Sequence, residues 1–358
     1  MDSPDMERHR ELLEQGAAAY HALHLDEALE AYRAAAALAP EGYEAHLGTA
    51  RTLMRMRERD GALEAAGRCI ALDEGRPEAY VVRGVVHFLG DDLDQAESAL
   101  NAALERAPDE PEPLLTLAQV YCDRNELERA DAALAKAREQ IEAIADPGER
   151  DQLAALAWHV ETYRHLTAED QTAAYEAAQQ VIALEEANPY AACLAYSNLG
   201  IMEAHARNHP RAIEYLERAC KANPHFHRAA SALGRILLMS GQPARAAEVL
   251  EQVVAHKDAD TAFTRYAYAL ALARSRRRQE AREQYALALD QGLSGASLWM
   301  ASWQRLWLHD AVRYGLIGAA LLAALLWVLL GNPSTQAVTL AVMIVMLLVL
   351  QRVVGRRR

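Results

Sequence analysis

The chain has 358 residues, 52% hydrophobic and 24% charged, with 50 acidic against 37 basic side chains and a formal net charge of −13. So much apolar content supplies a core and excludes a disordered chain, and the acidic balance excludes nonspecific nucleic-acid binding. The charge is unevenly placed: from residue 305 onward Arg305, Arg313, Arg352, Arg356, Arg357 and Arg358 face a single acid, Asp310, so a basic tail follows a body more acidic than the whole.

The opening MDSPDMERHRELLEQG is charged early and holds no apolar run of signal-peptide length, so the body is expected in the cytoplasm. Cys69, Cys122, Cys193 and Cys220 form no C-x-x-C pair, which points to structural thiols in a reducing compartment. Only three of the 37 basic residues are lysine and alanine abounds, which fits a GC-rich bacterial genome.

From the N-terminus onward the sequence repeats itself. LDEALEAYRAAAALAPE returns as LDQAESALNAALERAPDE and as HPRAIEYLERACKANP. Anchoring alanines stand at Ala28, Ala62, Ala96, Ala130, Ala174, Ala212, Ala246 and Ala281, the first four 34 residues apart. Twelve residues before each stands Gly16, Ala50, Gly84, Ala118, Thr162, Gly200, Gly234 or Ala269, and seven after each stands Ala35, Cys69, Ala103, Ala137, Val181, Ala219, Val253 or Ala288. Small residues at fixed offsets let two antiparallel helices cross closely, so each unit is predicted to be a helical hairpin. In AYSNLGIMEAHARNHPRAIEYLERACKANP, Tyr196, Leu199, Gly200, Ala212, Ala219 and Pro224 fill the slots of a pattern that resembles the tetratricopeptide repeat (TPR) family. The resemblance implies an all-α, right-handed superhelix of about eight repeats, with the first helix of each hairpin lining a concave groove.

The predicted organisation is a first array over residues 1–142, a longer join with hinge character at 143–154, and a second array over 155–295. A capping or interfacial amphipathic helix at 296–312, a membrane helical hairpin at 313–355 and a basic tail at 356–358 follow. Groove positions that carry a carboxylate clamp in relatives capturing heat-shock chaperone tails hold Leu47 and Arg51, Val81 and Val85, then Leu115 and Gln119 here, so no clamp assembles. With Met54 and Phe88 these residues predict an apolar strip suited to an amphipathic helix or an extended apolar peptide, unless the chain itself fills it. Beyond the join the groove turns to Arg228 and Arg235 beside Phe263 and Tyr266, a second surface. His205 and His209, four apart, could share a helix face, but without a carboxylate or cysteine partner no metal or cofactor site is assigned. No phosphate loop, dinucleotide loop or nucleophile elbow occurs, and no catalysis is expected.

At the C-terminal end, Trp299, Trp303 and Trp307 recur every four residues. Trp299 is expected to pack on the eighth repeat, whereas Trp303 occupies a small-residue slot and stops the array; Trp303 and Trp307 then suit a lipid headgroup layer. Arg276, Arg277 and Arg278 could meet anionic lipid nearby. From Tyr314 to Gln351 no side chain is charged, and GNPST divides the stretch into two apolar arms. The arms either span the bilayer or re-enter, and arginines at both ends (Arg313, then Arg352, Arg356, Arg357 and Arg358) place those ends in the cytoplasm. The expectation is a membrane-anchored cytoplasmic scaffold or adaptor that binds protein partners. The alternative is a self-assembling homo-oligomer whose hairpin, with its small face of Gly315, Ala319 and Ala323, shapes the bilayer.

Overall fold

In a computed structural model, residues 4–256 and 259–309, with 314, 315, 317, 318 and 321, are described. They form seventeen helices and, among the described residues, no strand. Hairpins pair α1 (Pro4–His21) with α2 (Leu25–Leu38), α3 (Tyr43–Met56) with α4 (Arg59–Leu72), α5 (Glu78–Leu89) with α6 (Leu93–Arg106), and α7 (Pro111–Asp123) with α8 (Leu127–Glu142). They continue with α9 (Pro147–Thr167) and α10 (Gln171–Ala183), α11 (Pro189–His205) and α12 (His209–Ala222), α13 (His227–Met239) and α14 (Pro243–Val254), and α15 (Ala262–Arg274) and α16 (Arg278–Asp290). Helix α17 (Gly295–Trp307) stands last. Starts are written locally: Asp92, Asp146, Asp170 and Asn188 accept a backbone N–H of the first turn, and proline opens α7, α9, α11, α12 and α14.

The small slots do what their spacing predicts. Every anchoring alanine is at most 1% exposed, and every residue seven positions later is 0% exposed. A Cβ placed on Gly200 would stand 2.6 Å from Leu216, and one on Gly84 2.6 Å from Leu100, so the crossing tolerates no side chain where the facing residue is large. One periodic feature escapes a reading by residue type. Five residues before each anchor the backbone is left-handed, at Leu23, Arg57, Asp91, Asn125, Glu169, Arg207, Gly241 and Arg276. Only one of these is glycine, although the conformation costs other residues about 1–2 kcal/mol; the hairpin packing over-determines the turn.

Contacts divide the chain into two units, Met1–Asp260 and Thr261–Arg358. Within the first, the join is short: residues 147–154 are the opening turns of the 21-residue α9, leaving 143–146 between helices. His205 ends α11 and His209 begins α12, with left-handed Arg207 between them, so the two do not share a helix face.

In the second unit, Trp299 is corrected. It is 78% exposed, and the face that α17 turns toward α16 is Ser297, Ala301, Gln304 and Leu308, with Ala301 fully buried. Trp299 and Trp303 lie instead on the face that, in the glycine-bearing hairpins, is covered by the hairpin's own second helix. Leu298, Met300 and Leu306 are also exposed, and the Trp303 and Trp307 rings stack at 5.9 Å. Among the described residues no helix is long and apolar enough to cross a membrane. The predicted hairpin over 313–355, with Arg313 and Arg352, and the tail arginines Arg356, Arg357 and Arg358 lie outside the described residues, apart from the five positions named above.

Candidate partner-binding groove

In the first unit the first helices pack side by side, α3 on α5, α5 on α7, α7 on α9, α9 on α11 and α11 on α13. Three residues before the small slot they carry, in order, Leu47, Val81, Leu115, His159, Ser197 and Ser231. Leu47 and Leu115 are 3% exposed and Val81 7%. Three residues of the predicted apolar strip, Leu47, Val81 and Leu115, are therefore interior, and Met54, Val85 and Phe88 are partly buried against the same clusters. Close crossings draw neighbouring helices together until side chains at this slot are swallowed. Arg51 and Gln119 remain half-buried. Burial opposes the charge on Arg51, but Glu112, Tyr20 and Glu78 outweigh it and hold the guanidinium charged.

The groove also closes on itself. The Arg55 guanidinium lies 3.7 Å from the Tyr20 ring and 4.6 Å from the Tyr190 ring, and donates to the Tyr20 carbonyl at 3.0 Å. Arg57 covers Phe226 at 5.6 Å, Gln152 meets His21 at 3.3 Å, and His225 Nε2 stands 3.2 Å from Asp26 Oδ2. Hairpins one and two thus touch hairpins five, six and seven, and the lumen they bound is the inner side of the groove. Curvature makes these contacts, and no spacing in the sequence announces them.

In the later hairpins the same buried slot is polar. His159 is 9% exposed with Nδ1 lacking a partner, and Ser197 is 1% exposed with Oγ lacking one. Burial, and then the Arg228 and Arg57 guanidiniums, push His159 down to about 4. Among the described residues no carboxylate pairs with Arg57 or Arg228. Tyr163 at the border donates its hydroxyl to Asp123. His227 stacks on His256 at 4.1 Å and is likewise pushed down to about 4 by burial and that neighbour. Of the predicted groove residues, Arg228 and Arg235 are exposed in this unit. Phe263 and Tyr266 belong to the second unit, where their rings lie 6.4 Å apart and Tyr266 faces Tyr285 at 5.9 Å. Arg277 of that unit pairs with Glu280 at 2.5 Å; Arg276 takes the left-handed turn position and Arg278 opens α16.

Cys69, Cys122 and Cys193 are buried and free, their thiols pushed up to about 11, 11 and 12 by burial. Among the described residues no group of three or more His, Cys, Asp or Glu could hold a metal ion.

Comparison with known proteins agrees with this architecture. Two sequence profiles, each described as Tetratricopeptide repeat, match the chain, one over residues 88–143 and 204–265 and the other over 47–111 and 164–226. No curated protein matches the sequence. Among solved structures, the APC/C hetero-tetramer Cut9-Hcn1 is similar with a TM-score of 0.58 at 14% identity, over 84% of this chain and 55% of that one. The chain thus spans about half the length of that relative. Pseudomonas aeruginosa pilF (TM-score 0.48, 16% identity, 64% of this chain and 96% of that one) and yeast Tom70 (0.49, 18%, 79% and 56%) are also similar.

Proposed function

The chain is built of tetratricopeptide repeats over residues 47–143 and 164–265, and from that premise we propose that it is a scaffold or adaptor that holds a protein partner in the lumen of its first unit and recruits it to a membrane. The observation that supports the binding role is the row of first helices, in which His159 and Ser197 each keep a buried polar atom without a partner, and buried polar groups left unpaired in a folded chain call for a reason. No step of chemistry belongs to this reading.

Membrane attachment is supported by the exposed apolar side of α17, with Leu298, Trp299, Met300, Trp303 and Leu306, and by the uncharged residues 314–351 that follow it. Indoles favour the headgroup layer, and an uncharged apolar stretch of that length suits two arms in the hydrocarbon. The arginines at 352 and 356–358 then keep the repeats on the cytoplasmic side, with Arg276, Arg277 and Arg278 near anionic headgroups.

Two measurements on the full-length protein in cells test the two halves of the proposal. Alkaline carbonate should leave the protein in the membrane pellet, and its appearance in the supernatant would remove the anchor. Crosslinking followed by mass spectrometry should recover one protein whose crosslinks fall on the lumen residues of the first unit. Crosslinks confined to the convex side would remove the groove.

A further inference from the structure

We infer that residues 312–324 are the second helix of a ninth hairpin, packing on the bare side of α17 whenever the first apolar arm is outside the bilayer. The repeat supplies the frame: counted forward by 34 residues, α16 (Arg278–Asp290) falls on 312–324, and the end of α15 at Arg274 falls within one residue of the end of α17 at Trp307. The connection between the two helices is therefore of ordinary hairpin length. The side of α17 that would receive such a helix is open. Ala269 and Leu272 of α15 are 0% exposed beside α16, whereas their counterparts Trp303 and Leu306 are 50% and 54% exposed.

Side-chain sizes across this seat match. In earlier hairpins two contacts recur between the first helix and the second. The small slot meets the residue sixteen positions on, as Gly84 meets Leu100, Gly200 meets Leu216 and Gly234 meets Leu250. The residue four before the slot meets the one fifteen after it, as Tyr196 stacks on Tyr215 and Arg265 donates to Gln284. Counted from position 303, the same offsets set Trp303 against Ala319 and Trp299 against Gly318. Trp303 thus reverses the usual order of a small first helix under a large second one, and Trp299 meets a residue with no side chain. Bulk that would forbid an ordinary second helix admits this one. Gly315 stands at the anchor position; it and Gly318 are helical and exposed, and a Cβ placed on either would meet nothing within 4 Å. One stretch of chain therefore presents two bare sides, indoles on one and glycines on the other, in register with each other. Packed together they take the indoles out of water; on a bilayer the indoles pass to the headgroup layer and the arm to the hydrocarbon. For that second state alone the inference rests on the membrane reading above.

The test uses the full-length chain, translated without membranes, with its four native cysteines changed to alanine and with Met300→Cys and Ala319→Cys added. These two positions correspond to Tyr266 and Tyr285, whose rings lie 5.9 Å apart in hairpin eight. A short bis-maleimide should join them within one chain, and translation in the presence of anionic liposomes should abolish the product. Gly318→Leu, which puts bulk opposite Trp299, should lower the crosslink yield about tenfold, and adding Trp299→Ala should restore it. No crosslink in the absence of liposomes would overturn the ninth hairpin, and so would a product of doubled mass alone, which would give the seat to a second copy. A yield indifferent to Gly318→Leu would mean unspecific collapse and would overturn it equally. A crosslink that persists with liposomes while alkaline carbonate extracts the chain would sink the membrane reading and leave the ninth hairpin standing.

Discussion

One repeat slot is filled in two ways. In hairpins two, three and four it holds Leu47, Val81 and Leu115, which sink into the packing; in hairpins five, six and seven it holds His159, Ser197 and Ser231. The frame around the two sets is the same, with equally buried anchors and a left-handed residue in every turn. The frame therefore accepts both a large apolar side chain and a small polar one at this slot; His159 and Ser197 each keep a partnerless atom there, whereas the apolar set fills the seams that hold the stack together.

The comparison breaks most visibly at Leu115. Leu115→Glu should lose at least about 3–5 kcal/mol, because an unpaired carboxylate enters a dry seam, and the helical circular dichroism should melt at a much lower temperature. Normal melting would show the strip to be an open surface after all.

Acid sharpens the contrast from the other side. The folded chain holds His159 and His227 at about 4, whereas an unfolded chain protonates them near 6.5, so unfolding takes up protons between those values. Stability is complete above pH 6.5 and declines as the pH falls toward 4, by about 1.4 kcal/mol per pH unit for each histidine. His159→Leu should roughly halve that slope in denaturation curves taken at several pH values; an unchanged slope would place the sensitivity elsewhere.

The smallest effect tests the shared frame. Asp91→Gly in the first set and Glu169→Gly in the second should each gain about 0.5–1 kcal/mol, the relief of a left-handed backbone less the entropy of glycine. Unequal gains by calorimetry would mean that the two sets do not share one turn.

Much of the fold was legible because packing imposes it at fixed intervals: Ala28 and its seven successors, the residues seven positions on, and the glycines beneath Leu100 and Leu216 all stand where the period puts them. The left-handed turns were not, since Leu23, Arg57 and Glu169 share no chemistry and the backbone is forced there from outside. The candidate site was legible only in part. Arg51 and Gln119 are half-buried and Arg228 is exposed, whereas Leu47, Val81 and Leu115 of the strip read as the groove floor belong to the interior. The wall of His159 and Ser197 would have surfaced had one slot been read across every repeat. Arg57 over Phe226 and Arg55 between Tyr20 and Tyr190 depend on curvature accumulated over five hairpins, a quantity absent from local spacing. Trp299 was misplaced because its slot is buried only when the hairpin's own second helix covers it.

The central claim, that the polar set is kept for binding and not for folding, is tested most directly by the thermal midpoint of full-length His159→Leu/Ser197→Ala at neutral pH. Removing two buried groups that bond nothing should leave the midpoint at or above that of the parent chain. A fall of more than about 4 °C, roughly 2 kcal/mol in a chain of this size, would show that His159 and Ser197 hold the fold together and would contradict the account.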